Sequence, residues 1–227
     1  MFRIICVIPA RGGSKSCPRK NIREVCGQPL ISYPILAALR TPEIERVYVS
    51  TDDKETVEIA EKYGADVPFL RPKEFARDNS PDIEWATHFL GWFKEDKGYL
   101  PEYIVHLRAT TPMIEPEKIS EAIQKIQKYP ECTSLVSSEE YTDSPFKALL
   151  VDGLYYDGML SIKHMLRPKQ SFPIAYHPNG YVDILKVDTL LQGKMHGDKI
   201  LTFITERVIE VDSEYEFNLL EKVYGNG

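Results

Sequence analysis

The sequence lacks most of the features that assign a protein at a glance. Its four cysteines, Cys6, Cys17, Cys26 and Cys132, include no CxxC pair and match no zinc-ligand spacing, so neither a zinc ribbon nor a disulfide scaffold is expected. They read as free thiols in a reducing compartment, with a reactive Cys17 beside a cationic loop as the alternative. No apolar run approaches the roughly 20 residues that a membrane helix needs. The chain opens directly on a strand-like run, and the expectation is of no signal peptide and a cytoplasmic location. Basic charge is not in excess either. With 28 Lys and Arg against 34 Asp and Glu, the net charge is -6 and the pI is near 5.5, which argues against a general nucleic-acid surface. The phosphate-binding pattern GxxxxGK[ST] and the dinucleotide pattern GxGxxG are both absent, as is a Ser-His-Asp arrangement. His88 and His106 fall in segments that read as helix and buried strand, hence as structural residues, with His106 expected to be hydrogen-bonded in the core. His196 has a possible place facing the ligand.

What is present is concentrated early. After the apolar run Ile4 to Ile8 comes Pro9-Ala10-Arg11-Gly12-Gly13-Ser14-Lys15-Ser16-Cys17-Pro18-Arg19-Lys20-Asn21. Two glycines let the backbone turn and approach a ligand closely. Arg11, Lys15, Arg19 and Lys20 place four cations in one loop of an acidic chain. That composition suits a polyanion, and a nucleoside triphosphate is the small polyanion expected. Backbone N–H groups around Gly12, Gly13 and Ser14, with the basic side chains, would hold the phosphates. The bland reading is a solvated basic loop.

The rest of the chain alternates strand and helix signals. Strands are expected at Ile4–Ile8, Val47–Ser50, around Val67–Phe69, at Tyr103–Leu107 and at Ser134–Val136. Helices are expected at Leu30–Leu39, Lys54–Tyr63, Pro81–Lys94 and Pro116–Lys128, with Pro29 in the first turn of the first and Asp78, Asn79 or Ser80 capping the third. The fold class is therefore α/β, a Rossmann-like, mostly parallel sheet covered by helices on both faces. Residues 139–180 break this rhythm with Tyr, Pro, Gly and Lys. Strands resume at Tyr181–Leu185, Ile200–Ile204 and Val208–Val211, before a last helix at Ser213–Tyr224. No repeat or low-complexity linker interrupts the chain. One α/β domain, residues 1–138 and 196–227, carrying an arm, residues 139–195, is the expected organisation.

Ligands of open parallel sheets sit at the carboxyl ends of strands, which is where the first loop lies. Two more segments fall at such ends. In Leu107-Arg108-Ala109-Thr110-Thr111-Pro112 the guanidinium of Arg108 can pair with a carboxylate or phosphate, and Thr110 either bonds a ligand or caps a turn. In Val208-Ile209-Glu210-Val211-Asp212-Ser213, residues two apart on a strand point to one side, so Glu210 and Asp212 would project together. Two carboxylates beside a triphosphate suit Mg²⁺. The alternative is that Asp212 or Ser213 caps the last helix.

These segments, in this order, resemble the N-acylneuraminate cytidylyltransferases, the family that makes CMP-activated acidic sugars. The resemblance rests on IPARGGSK-xx-PRKN in the first loop, Val49-Ser50-Thr51-Asp52, Leu70-Arg71-Pro72, Thr110-Thr111-Pro112, Pro178-Asn179-Gly180 and the ExD element of Glu210 and Asp212. It spans essentially the whole chain. It implies a reaction in which CTP and an acidic nine-carbon 2-keto sugar give the CMP-sugar and pyrophosphate. It also implies roles. Arg11, Lys20 and Asp212 would be catalytic. Ala10, Arg11, Gly12, Gly13, Ser14, Lys15, Lys20, Asn21, Arg71 and Ser80 would bind the nucleotide. Arg108, Thr110, Lys147, Lys169, Asn179 and Asp183 would contact the acceptor, with Lys147 and Lys169 supplied by an arm that reaches a homodimer partner's site. Asp212 and Glu210 would hold Mg²⁺.

Several positions depart from the sialic acid pattern. Ser16 follows the first-loop Lys where glycine is usual. Arg108 and Ala109 stand for Gln and Pro, Glu210 for the first Asp of Asp-x-Asp, Lys169 and His177 for arginines, and Asp183 for a tyrosine. The loop and metal elements keep the pattern while the sugar-facing ones vary, so a related acceptor such as legionaminic or pseudaminic acid fits as well as sialic acid. The alternatives are a nucleotidyltransferase with another base or acceptor (a sugar phosphate or phosphonate), a glycosyltransferase of similar fold, and a catalytically silent nucleotide-binding protein.

Overall fold

The computed structural model describes residues 2–13 and 17–225. The first-loop residues Ser14 and Lys15 lie outside the described residues. In chain order the elements are β1 (Ile4–Pro9), β2 (Glu24–Val25), β3 (Gln28–Pro29), α1 (Ser32–Leu39), β4 (Arg46–Ser50), α2 (Lys54–Lys62), α3 (Asp82–Lys97), β5 (Tyr103–His106) and α4 (Pro116–Gln127). Then come β6 (Ser134–Glu140), β7 (Leu149–Asp152), β8 (Tyr155–Gly158), α5 (Ile162–Met165), β9 (Tyr176–Lys186), α6 (Val187–Leu191), β10 (Ile200–Ile204) and α7 (Glu214–Tyr224).

Six strands form one sheet in the order β10-β6-β9-β5-β1-β4. All neighbours are parallel except β9, which runs antiparallel to both β5 and β6. Side chains alternate faces along a strand, and both faces are apolar, as a helix-covered sheet requires. Ile4, Cys6 and Ile8 of β1, with Val47, Val49 and Val105, face a core filled by α1, α2 and α4 through Ile35, Ala38, Ala60, Ile119, Ile123 and Ile126. Ile5 and Val7, with Tyr48 and Ile104, face the other core, filled by Trp85, Ala86, Phe89, Leu90 and Phe93 of α3 and by Val187 and Leu190 of α6. Among the described residues no helix is long and apolar enough to cross a membrane.

A third, small core joins distant parts of the chain. Cys17, Val25 and Leu30 pack on Val211, Phe217 and Leu220. The β2-β3 hairpin thus docks α7, and the segment before α7 returns to the first loop. Strand β1 lies between β4 and β5, so the chain crosses over in opposite directions from it. A crevice opens at such a switch point, outside the carboxyl ends of the strands.

Residues between β6 and β9 leave the sheet. They form the β7-β8 hairpin, an antiparallel pair of its own, and α5. From residue 140 to residue 178 no residue is buried. Leu154, Tyr155, Tyr156, Val151, Leu166 and Ile174 are among the exposed large apolar side chains. Strand β9 itself belongs to the central sheet.

Four local expectations are corrected. Around Val67–Phe69 there is no strand, only isolated bridges from Asp66 to Tyr48 of β4 and from Leu70 to Thr51 just beyond it. Residues 208–212 form no strand, because Val211 N–H bonds the Thr110 carbonyl, 2.8 Å away, outside the ladder. Helix α1 starts at Ser32 rather than Leu30, since Pro29 pairs with Glu24 in the hairpin. The position before α3 is held by Pro81 without a side-chain cap. The Ser80 hydroxyl instead donates to the Glu74 carbonyl at 3.2 Å and accepts from Arg77 N–H at 3.2 Å, closing the preceding loop.

Candidate active site

The site is assembled on the carboxyl ends of β1, β4 and β5. Past Pro9, the buried Ala10 keeps the β4 pairing, its N–H donating to the Ser50 carbonyl at 2.9 Å. The Gly12 N–H then donates to Asp52 Oδ1 at 2.9 Å. A Cβ on Gly12 would lie 2.7 Å from Asp53 Cβ, so only glycine fits this close pass, while beside Gly13 no described residue stands within 4 Å of the corresponding position. The loop returns through Arg19, held left-handed at φ 59, into a single helical turn, Lys20–Ile22. Buried Asn21 ties the ends of the loop together, its amide donating to the Arg11 carbonyl at 2.9 Å.

Ion pairs fix the described cations of the loop, Arg19 on Glu55 among them. Arg11 Nη1 is 2.7 Å from Asp78 Oδ1. Lys20 Nζ is 2.8 Å from Asp212 Oδ1 and 3.1 Å from the Val211 carbonyl. This last pair joins residues 192 positions apart, and it exists because the small third core brings α7 to the hairpin. Helix α7 is capped by a reciprocal box between Ser213 and Glu216, which leaves the Asp212 carboxylate out of the cap. Buried Val211 separates Glu210 from Asp212, and both carboxylates line the same cleft. The Thr110 hydroxyl donates to Glu210 Oε1 at 3.2 Å.

The cleft measures ≈ 320 Å³. The first loop and the connection from β4 to α3 contribute Arg11, Lys20, Asn21, Arg71 and Ser80 to its lining, and the segments after β5 and before α7 contribute Arg108, Thr110, Glu210 and Asp212. The structure thus gathers nine of the expected residues, from five separate segments, around one space. Arg71 is buried, and burial lowers its pKa, aided by Arg11 and opposed by Asp52 and Asp82. Its Nε has no hydrogen-bond partner.

Other expected residues stand apart from the cleft. Lys147 and Lys169 sit on the arm, where the Lys169 ammonium bonds the Thr142 carbonyl and lines a separate hollow with Phe172 and Tyr141. Asn179 is buried, its amide donating to Thr205 Oγ1 at 2.7 Å and Glu139 Oε2 at 3.3 Å. Asp183 is buried behind Arg108 and His106, its Oδ2 lying 3.6 Å and 3.7 Å from them. Burial raises its pKa, against the pull of Arg108 and His196.

Trp85 and His106 line the cleft without having been expected there. His106 is buried but its Nδ1 has no hydrogen-bond partner, which corrects the expectation of a satisfied core histidine. Burial, with Arg108 and His196, lowers its pKa to about 3, so the ring is neutral. Its carboxylate neighbour comes from a strand 77 positions later in sequence, beyond any local pattern. Trp85 follows Asp82 on one face of the α3 amino-terminal turn, a spacing that reads equally as core. His196 does not line the cleft; its carbonyl accepts from the Ser134 hydroxyl at 2.8 Å.

Chemically, the arrangement offers cations, backbone N–H groups and carboxylates around one cleft, and among the described residues no nucleophile and base are paired there for covalent catalysis. Comparison with known proteins agrees with that inventory. The sequence profile of the family described as Cytidylyltransferase matches residues 5–157. The pseudaminic acid cytidylyltransferase of Campylobacter jejuni (strain NCTC 11168) is 34% identical over 180 residues, 78% of this chain and 75% of the relative. The CMP-N,N'-diacetyllegionaminic acid synthase of Legionella pneumophila is 40% identical over 123 residues, 54% of this chain and 53% of the relative. Among solved structures, a CMP:2-keto-3-deoxy-manno-octonic acid synthetase complexed with CTP superposes with a TM-score of 0.74 over 99% of both chains at 17% identity. That likeness is one of fold.

Proposed function

Since the chain belongs to the cytidylyltransferase family of nucleotidyltransferases, we propose that it transfers CMP from CTP to the anomeric hydroxyl of an acidic nine-carbon keto sugar of the sialic, legionaminic or pseudaminic type. The observation that carries this reading is the Lys20–Asp212 pair, at 2.8 Å. It joins the phosphate-suited first loop to a segment bearing two carboxylates, across one cleft. The triphosphate would lie along Arg11, the Gly12-Gly13 backbone and Lys20. Asn21, Arg71 and Ser80 would bound the nucleotide, and Arg108 and Thr110 the acceptor.

In the reaction the anomeric oxygen forms a bond to the α-phosphorus, the bond to the pyrophosphate oxygen breaks, and the hydroxyl proton leaves to a carboxylate, for which Asp212 is the candidate. The protein's contribution is positioning and charge neutralisation. Lys20 would offset the charge that develops at the α-phosphate. Glu210 and Asp212 fit Mg²⁺ in the chemistry of their donors, which are hard carboxylate oxygens. Among the described residues no group of three or more His, Cys, Asp or Glu can hold a metal by itself, so the remaining ligands would be phosphate oxygens and water. The ion, when bound, would neutralise phosphate charge. The exposed apolar arm suits a homodimer, in which Lys147 and Lys169 would reach the partner's acceptor.

The test is pyrophosphate release from CTP and Mg²⁺ with N-acetylneuraminate, legionaminate and pseudaminate. Release with at least one acid is expected, and thermal shift should favour CTP over UTP, GTP and ATP. Stabilisation by UTP or GTP in preference to CTP would overturn the reading of the base. Folded protein that releases nothing with any of these acids would overturn the acceptor.

A further inference from the structure

One carboxylate at the acceptor end of the cleft faces away from it. Asp183 is 3% exposed and sits opposite His106 in the β5-β9 register. Its Oδ2 is 3.6 Å from Arg108 Nη2, longer than a hydrogen bond, and its Oδ1 has no partner. Burying an ionised carboxylate with so loose a pairing costs stability, so packing alone gives no account of it.

Gly180 supplies the second constraint. Its φ is +67, and a Cβ there would lie 2.6 Å from both Cδ and Nε of Arg108. The guanidinium therefore lies across the bare backbone of Gly180, with Asp183 behind it and the cleft in front. Arg108 Nε is buried without a partner. Two other cations that line the cleft in ion pairs, Arg11 on Asp78 and Lys20 on Asp212, hold their partners at 2.7 and 2.8 Å. Arg108 has the loosest pairing of the three and the most hydrogen-bonding capacity left for a ligand.

We propose that Asp183 is a positioning residue. It holds Arg108 against Gly180 and turns the guanidinium fork towards an oxyanion in the cleft, the geometry that suits bidentate recognition. This rests on the nucleotidyl-transfer reading above. The oxyanion comes either from the acceptor's carboxylate or from the triphosphate. Arg108 lines the cleft from the segment after β5 with Thr110, the segment assigned above to the acceptor, which favours that source.

The experiment is a double-mutant cycle of the full chain: wild type, Arg108→Gln, Asp183→Asn and both together. Gly180→Ala is added as a steric route to the same displacement. KM for the best acid of the panel, KM for CTP, kcat and Tm are measured. Arg108→Gln and Asp183→Asn should each raise the acceptor KM about tenfold or more, the usual loss for hydrogen bonds to charged groups. Adding Asp183→Asn to Arg108→Gln should do no further harm, because one acts through the other. Gly180→Ala should reproduce the KM shift, and it carries the test if Asp183→Asn fails to fold. A rise in the CTP KM instead would keep the positioning role and assign the oxyanion to the triphosphate. Singles whose effects multiply in the double variant, or an Asp183→Asn that changes Tm and neither KM, would overturn the proposal while the function above stands. Wild type that is stabilised by CTP but inactive with every acid would overturn that function, and this proposal with it.

Discussion

The two ends of the cleft satisfy their polar groups to different degrees. At the first-loop end Arg11 and Lys20 each have a close carboxylate, Asp78 and Asp212, while Arg71 Nε is buried without a partner. At the other end, Trp85 Nε1, His106 Nδ1, Arg108 Nε and Asp183 Oδ1 are buried without hydrogen-bond partners. Most buried polar atoms in native proteins are paired, so the exceptions that line the cleft, on Trp85, His106 and Arg108, mark where a ligand completes the set. The paired end reads as preset machinery for a fixed substrate. The unpaired end reads as a socket shaped to one acceptor, and it is also where the sequence departs from the sialic acid pattern.

The largest effect is expected at the paired end. Asp212→Asn should lower pyrophosphate release at least 100-fold, the scale set by losing one preorganised charge interaction in an active site. The Asp212 side chain is 69% exposed, and Ser213, not Asp212, caps α7. Stability should therefore stay within about 0.5 kcal/mol of wild type. Assay and thermal melt together decide the matter. A large drop in Tm with activity retained would recast the Lys20–Asp212 pair as a staple between loop and helix, and the comparison would lose its first half.

Next in size is Arg108→Gln. It should raise the acceptor KM roughly 10- to 100-fold while leaving CTP binding, read by thermal shift, near wild type. An equal loss of CTP binding would erase the distinction between the two ends.

How far the comparison was legible in the sequence depends on which contacts are local. The first loop was readable because its glycines and cations lie within about a dozen residues of a buried strand. Glu210 and Asp212 were found together for an incorrect reason. They share the cleft because Val211 is anchored to Thr110 and to the third core, not because a strand alternates them. The sheet was read as mostly parallel, and strand β10 was placed at its observed residues, Ile200–Ile204. Nothing in the local pattern could show that β9 slots antiparallel between β5 and β6. That insertion puts Asp183 against His106 and Gly180 under Arg108, so the chemistry of the acceptor end is written in pairings between distant segments. Trp85 was invisible as a cleft residue because an aromatic at helical spacing reads as core, which it also is.

The arm gives a smaller, separate test. Leu154 at the hairpin tip is 94% exposed and Tyr156 is 67% exposed, an apolar display that ordinarily marks an interface. For the proposed homodimer, replacing both with Glu should shift sedimentation from dimer to monomer and lower turnover several-fold, with little change in Tm. A wild type that sediments as a monomer at micromolar concentration would remove the homodimer from the proposed function.

The smallest effect sharpens the comparison most, because it asks whether the unpaired end costs stability. The groups facing Asp183 are Arg108 and His106 at the end of β5, His196 beyond α6, Asp82 at the start of α3 and a backbone N–H of Ser137 in β6. Burial outweighs the rest and raises the Asp183 pKa. The folded state therefore takes up this proton at a higher pH than the unfolded state does. It follows that the ionised form destabilises the fold above the folded-state pKa, and that the cost fades as pH falls through that value. Asp183→Asn should accordingly melt up to a few degrees higher than wild type at pH 8, with the gap narrowing as the buffer is acidified. A residue kept for packing would show the reverse, a lower Tm at every pH. Higher stability combined with a poorer acceptor KM would mean that the charge is retained for what it does to Arg108.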